Sequence, residues 1–127
     1  MKQAVIFARA LADETRLRII RLAMDQALCV CELAEIMEMP QSSVSSHVQV
    51  IRKAGLLESE KCEKWTYFRI HADFIPMVRG ILRFFSESDP FPDDPEKAAR
   101  RLAIREESCC PGPVKLAKRR KSIPSRS

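Results

Sequence analysis

The spacing of apolar residues along this chain changes sharply at Gly55. Before it, residues such as Val44, Val48 and Ile51 recur at the interval of a helix face. After it, Trp65, Tyr67 and Arg69 alternate with Thr66, Phe68 and Ile70, as strand residues do. The helical part divides at clear stops. A first helix is predicted over residues 2–12, with Ile6, Phe7, Ala10 and Leu11 on one side. Asp13 can cap a second over 14–24, which carries Leu17, Ile20 and Met24 inward. A short third covers 31–37 and buries Leu33, Ile36 and Met37 before Glu38-Met39-Pro40 ends it. A fourth begins at Gln41 or Ser42, runs to about Ala54, and stops at Gly55. Extended segments at 56–60 and 65–70 flank a short polar turn and make a two-stranded hairpin. Helix returns at 73–85. The expected class is mainly α with a small β-hairpin.

Beyond this body, residues 86–95 read as a connection. Asp94-Pro95 then supplies a cap and a first-turn proline for an extra helix over 96–107. The expected organisation is a main domain at 1–88, a connection and helix at 89–110 ending in Cys-Cys, and a basic, disordered tail at 111–127. The tail holds six basic residues and no acid, which leaves 16 basic against 17 acidic residues in the remainder. The net charge of +5 therefore belongs to the tail, and any anionic partner of the body must meet a local patch. No apolar run is long enough to cross a bilayer, and the start of the chain lacks signal-peptide chemistry. The expected location is the cytoplasm, with no membrane partner.

The fourth helix has a face suited to DNA. Val44, Val48 and Ile51 point inward, while Ser42, Ser45, Ser46, Gln49, Arg52 and Lys53 form the opposite side. Small hydroxyls allow close approach to a major groove, Gln can pair with base edges, and the terminal Arg and Lys suit phosphates. Lys61 and Lys64 at the hairpin tip can reach the flanking backbone. Ala10-Leu11-Ala12-Asp13-Glu14-Thr15-Arg16-Leu17-Arg18-Ile19 resembles the opening signature of the ArsR/SmtB repressors. So do Cys29-Val30-Cys31-Glu32-Leu33-Ala34, Gln41-Ser42-Ser43-Val44-Ser45-Ser46-His47, Ile51-Arg52-Lys53-Ala54-Gly55-Leu56 and Trp65-Thr66-Tyr67-Phe68-Arg69-Ile70. The resemblance covers residues 6 to about 85. It implies a dimeric winged helix-turn-helix, joined through its first and last core helices, that binds double-stranded operator DNA. Gln41 and Ser43 join the DNA-facing set on the same ground, and His47 reads as a DNA or packing residue. Glu38 departs from the family, which often has Gly at that turn, and Cys62-Glu63 departs at the wing tip.

Five cysteines in a cytoplasmic protein point to free thiols rather than a disulfide framework. Cys29 and Cys31 flank the start of the third helix, where the helix dipole stabilises a thiolate. Residues i and i+2 of a regular helix point about 200° apart, so both can grip one ion only if that helix start unwinds or Cys29 lies outside it, and binding is expected to distort the first half of the DNA-reading unit. The resemblance associates this Cys-x-Cys site with trivalent arsenic and antimony as inducers, and vicinal cysteines near the C-terminus with arsenite. Two sites thus compete: Cys29 and Cys31 completed by a tail thiol, or Cys109 and Cys110 completed by another. Cys62 reads as a bystander. The family's zinc pattern lacks its distal His and Glu, the corresponding stretch being Arg79-Gly80-Ile81-Leu82-Arg83.

No phosphate-cradling loop or βαβ unit is present in the pattern, and neither histidine has an argued geometry with a cysteine. An enzyme is therefore not expected, nor an organic cofactor. The alternative function is a repressor of the same fold that responds to thiol oxidation.

Overall fold

The computed structural model describes residues 1–85, 89–108 and 110–116. The order is α1 (Lys2–Leu11), α2 (Glu14–Leu22), β1 (Leu28–Cys29), α3 (Val30–Met37), α4 (Gln41–Lys53), β2 (Leu57–Cys62), β3 (Trp65–Ile70), α5 (Ile75–Phe85) and α6 (Asp94–Ala103). Short 3₁₀ turns at Ala72–Phe74 and Arg105–Glu107 precede α5 and follow α6. Asp13 is extended and accepts the Thr15 N–H at 3.2 Å, so the predicted cap forms. At the end of α3, Glu38 takes the left-handed conformation, φ 57° and ψ 48°, in which the chain turns toward α4.

The expected hairpin is part of a three-stranded antiparallel sheet of order β1-β3-β2. β2 and β3 pair from Leu57 opposite Ile70 to Cys62 opposite Trp65, and β1 places Leu28 opposite Phe68 and Cys29 opposite Tyr67. A two-residue strand has no room to show an alternating pattern. It forms because β3 would otherwise present an unpaired edge.

Val44, Val48 and Ile51 of α4 meet Ile19 and Ile20 of α2, Leu33 of α3, and Phe68 and Ile70 of β3 in the main core. Burying each such side chain contributes about 1.5–3 kcal/mol, so this inner face fixes α4 with its other face outward. The far side of β3 is also covered. Tyr67 is fully buried there in a smaller cluster with Ala27, Cys29, Cys110 and Leu116.

Helix α6 lies against α2 and α3. Asp94 was expected as its cap, but Asp93 takes that position and Asp94 begins the helix. The Asp94 carboxylate instead accepts from Arg18 at 2.7 and 2.9 Å, with both groups nearly buried. Phe91 covers the Arg18 guanidinium at 3.9 Å. Asp94, Ala98 and Arg101 are the buried residues of α6. Their i, i+4, i+7 spacing defines its docking stripe. The stretch Cys110–Leu116, here called the strap, crosses the outer side of the sheet. Residues 111–116 were expected within a disordered tail, but they are held by hydrogen bonds described below; residues 117–127 lie outside the described residues.

Candidate nucleic-acid interface and buried thiol site

Helix α4 presents Gln41, Ser42, Ser46, Gln49, Arg52 and Lys53 as exposed residues, with Ser43, Ser45 and His47 half-buried. Ser46 Oγ donates to the Ser42 carbonyl at 3.1 Å. His47 is turned toward the body: its Nδ1 lies 3.2 Å from Arg16 Nη1 and 3.7 Å from an Asp13 carboxylate oxygen. Lys61 and Lys64 are exposed on either side of the tip between β2 and β3, and the Lys64 ammonium lies 5.2 Å from the Trp65 ring centre. Helix and hairpin tip thus offer hydroxyl, amide and cationic groups.

The second site lies at the start of α3. Cys29 occupies the N-cap of that helix, and its backbone N–H donates to the Glu32 carboxylate at 3.1 Å. Its thiol donates to Cys110 Sγ at 3.6 Å, and both cysteines are buried. Sulfurs of Cys29 and Cys110 and a carboxylate oxygen of Glu32 all lie within 4.8 Å of one another. Cys31 packs against the same small cluster, with its thiol donating to Glu35 Oε2 at 3.7 Å. Cys62 is half-buried beside the same small cluster. Cys109 lies outside the described residues.

Arginines from the C-terminal region enclose this group. Arg105 donates to both Glu32 oxygens at 2.7 and 2.8 Å, and to the Ala27 carbonyl at 2.8 Å. Arg101 donates to Glu35 at 3.1 Å and to Cys110 Sγ at 3.6 Å. A fully buried carboxylate is tolerable only with such partners. Burial pushes the Cys29 thiol far above its ordinary range, and the Glu32 charge and Cys110 add to this. The backbone N–H of Glu32 acts in the opposite sense. Burial likewise holds the Tyr67 phenol up to about 12, against the Gly112 N–H that favours its anion.

Hydrogen bonds fix Cys110 in place. The Gly112 N–H donates to Tyr67 Oη at 2.7 Å. Successive N–H groups of Val114, Lys115 and Leu116 donate to the Glu60 carboxylate at 2.8, 2.7 and 2.7 Å. These bonds, the Val114 N–H first among them, hold the Glu60 carboxyl below its usual range. The strap therefore joins the thiol site to the hairpin. Sequence reasoning missed Glu32, Glu60, Tyr67, Arg101 and Arg105. One signal was available: Glu32 stands three residues after Cys29, the spacing of the carboxylate half of a capping box.

The family model "Bacterial regulatory protein, arsR family" matches residues 13–59. The chain is 35% identical over 79 residues to the arsenic resistance transcriptional regulator ArsR1 of Pseudomonas putida, covering 61% of this chain and 62% of that one. It is 38% identical over 75 residues to the arsenical resistance operon repressor of Bacillus subtilis, covering 58% and 69%. The chain belongs to the ArsR family. Among solved structures, the AntR antimony-specific transcriptional repressor superposes with a TM-score of 0.54 at 29% identity, over 66% of this chain and 74% of that one. The homodimeric winged helix-turn-helix domain Mb0332 of Mycobacterium bovis gives 0.60 at 22% identity, over 67% and 79%, a likeness of fold. In that frame α3 and α4 are the helix-turn-helix of this ArsR-family chain, and β2 and β3 are its wing. The buried thiol pair thus stands at the first residue of the helix-turn-helix unit.

Proposed function

We propose that this ArsR-family chain is a transcriptional repressor that binds operator DNA as a homodimer and lets go when Cys29 and Cys110 capture trivalent arsenic or antimony. The 3.6 Å approach of two buried sulfurs, one at the cap of α3 and one in the strap, carries the reading. With metal–sulfur bonds of about 2.3 Å, as for zinc, that separation corresponds to a bond angle of about 103°. A soft ion can therefore be chelated with little change in the sulfur positions, and a thiolate-rich site disfavours hard ions. The names of the Pseudomonas, Bacillus and AntR relatives support a metalloid inducer.

In the DNA-bound form, the α4 face set out above would enter the major groove, with Lys61 and Lys64 on flanking phosphate. Exposed Val5 on α1 and Met77 and Phe84 on α5 supply apolar surface for the dimer contact that the family resemblance implies. Binding of an ion would tie the start of α3 to the strap, and through the strap to the wing. An ion that locks these parts in their off-DNA setting binds that state better, and release needs that difference. Cys29 stands outside α3 as its extended N-cap, so Cys31 could reach the same ion by giving up its bond to Glu35. Cys109 remains a further thiol candidate on the grounds of sequence alone.

The same sulfur contact favours one second reading, oxidation of the Cys29–Cys110 pair to a disulfide. Fluorescence anisotropy of the chain's own promoter fragment separates the two. Arsenite should release the reduced wild type but neither Cys29→Ser nor Cys110→Ser. If arsenite leaves the wild type bound and peroxide releases it, the oxidation reading replaces the metalloid one.

A further inference from the structure

Arg101 is more than nine-tenths buried, and its Nη1 has no hydrogen-bond partner. The other guanidinium nitrogens are engaged, Nε by Glu35 at 3.1 Å and Nη2 by Cys110 Sγ at 3.6 Å. The orphaned Nη1 lies 3.7 Å from Glu32 Oε2, one of the carboxylate oxygens at the two sulfurs. A buried donor left unmatched is rare and costly, and in a ligand site it marks the place of a missing acceptor. Neither Cys31 nor Glu32 is set to supply a third ligand: the Cys31 thiol is directed to Glu35, and both Glu32 oxygens are held by Arg105.

We propose that Arg101 selects the arsenic species, its Nη1–H donating to the hydroxyl oxygen that inorganic arsenite keeps after the two thiolates have bound. The inference rests on the Cys29–Cys110 chelate proposed above. Arsenous acid carries three As–O bonds. When two thiols condense with it, two As–S bonds form, two As–O bonds break, and each departing hydroxyl leaves with a thiol proton as water. Arsenic stays trivalent and one As–OH remains as an acceptor. An aryl arsenical such as hydrated phenylarsine oxide condenses with two thiols in the same way, but its third bond is to carbon. It offers Arg101 nothing. Arg101 also lines an open depression of about 340 Å³ between α3 and α6 with Glu35, Ile36, Glu38, Lys97 and Arg100.

The test is calorimetric titration of the reduced full chain with sodium arsenite and, separately, with phenylarsine oxide. Wild type is compared with Arg101→Met and Arg101→Lys. A lost hydrogen bond from a charged donor should weaken arsenite about tenfold or more in Arg101→Met. Phenylarsine oxide also loses the Nη2 donor to Cys110 Sγ but no bond from Nη1, so it should weaken much less and the ratio of the two affinities should fall about tenfold; Arg101→Lys, retaining a donor, should fall between. Equal losses for both ligands would reduce Arg101 to a structural role, and unchanged arsenite affinity would remove it from the site. A Cys31→Ser or Cys109→Ser variant that loses arsenite but keeps phenylarsine oxide would show that the third donor is sulfur, and would likewise overturn the inference. If wild type binds neither ligand, the chelate reading itself fails.

Discussion

Cys29 and Cys110 are 81 residues apart in the chain, yet their sulfurs lie 3.6 Å from one another in a buried site. The contact forms because α6 is pinned to α2 and the strap is pinned to the wing. At pH 6 to 8 arsenous acid is neutral and the fold keeps the Cys29 proton in place, so condensation with the two thiols releases water and no net proton. Apparent arsenite affinity should therefore stay nearly constant from pH 6 to 8, and calorimetry in buffers of different ionisation enthalpy should report no net proton release. A steep rise of affinity with pH would count against capture by this protonated thiol. Stability, by contrast, should depend on pH. An unfolded Cys titrates near pH ~8.5, below the raised value of folded Cys29, so above that pH the unfolded chain holds fewer protons. The stabilisation is complete below about pH 8.5 and is lost as pH rises. The urea midpoint should fall between pH 8.5 and 10, and less so in Cys29→Ala.

Gly112 should tolerate no side chain. Its φ is +90°, and a Cβ there would meet Arg105 Cδ at 2.8 Å. That arginine cannot swing aside freely, since its guanidinium is bonded to Glu32 and Ala27. Strain of about 1–3 kcal/mol from the backbone alone favours an open strap by roughly tenfold. In a background lacking Cys31, Cys62 and Cys109, maleimide should label Cys110 of Gly112→Ala about ten times faster than in the parent. An unchanged rate would mean that the strap does not depend on this glycine.

The Glu60 carboxylate is the second fastening of the strap. It accepts three consecutive N–H groups, bonds that its ionised form strengthens. Glu60→Ala should raise Cys110 labelling and weaken arsenite binding, while Glu60→Gln, which keeps an acceptor, should do so less. Operator affinity without arsenite should hold, because Glu60 is no part of the cationic DNA-facing set. Equal labelling in all three proteins would show that the strap is held by Tyr67 and packing alone. The carboxyl titrates below its usual range. Its contribution is therefore present above the unfolded value near pH ~4.3 and is lost as pH falls through the lower, folded one.

Much of this architecture is visible in the residues themselves. The stripe of Val44, Val48 and Ile51 places α4 with its polar face outward, and Asp13 caps α2 as its position before Glu14 predicts. The alternation at Trp65–Ile70 identifies β3, but the two residues of β1 are too few to show a period. The cysteines are equally visible as chemistry, and a tail thiol beside Cys29 is among the arrangements the sequence leaves open, but which arrangement forms is not legible there. Cys29 pairs with Cys110 because α6 buries Asp94 against Arg18, a contact across 76 residues that no local pattern encodes. Arg101 and Arg105 look like ordinary surface cations of an amphipathic helix end. Only the docked helix reveals them as partners of a buried glutamate. The strap was hidden for a related reason: its hold comes from backbone N–H groups, which every sequence has.

Glu38 illustrates a local conflict that the fold accepts. Its φ of 57° costs a side-chain-bearing residue about 1–2 kcal/mol relative to right-handed helix. Glycine has no such penalty, though it loses more freedom on folding. The Lys97–Glu38 bond at 3.0 Å is exposed and worth under ~1 kcal/mol. Glu38→Gly should therefore stabilise the chain by about 0.5 kcal/mol, raising Tm by a few degrees. A lower Tm would show that the Lys97 contact outweighs the strain.

The buried Arg18–Asp94 pair gives the decisive test of how the thiol site is assembled. Asp94→Ala leaves the Arg18 guanidinium in a nearly closed site without its bidentate acceptor, a loss of about 3–5 kcal/mol in buried pairs generally. That energy acts mostly on α6, which contributes only Ala98, with Leu102 packed at the edge, to the main apolar core. The helix-turn-helix should consequently remain folded while α6 detaches, carrying Arg101, Arg105 and Cys110 away from Cys29. Far-UV circular dichroism should show a loss confined to about one short helix, both Cys29 and Cys110 should become reactive to maleimide, and arsenite should no longer bind tightly. If instead the whole chain unfolds in one cooperative step, α6 is part of the core rather than a lid over the thiols. If both thiols stay protected, the strap alone holds Cys110 in place and Glu60, not Asp94, is the residue that assembles the site.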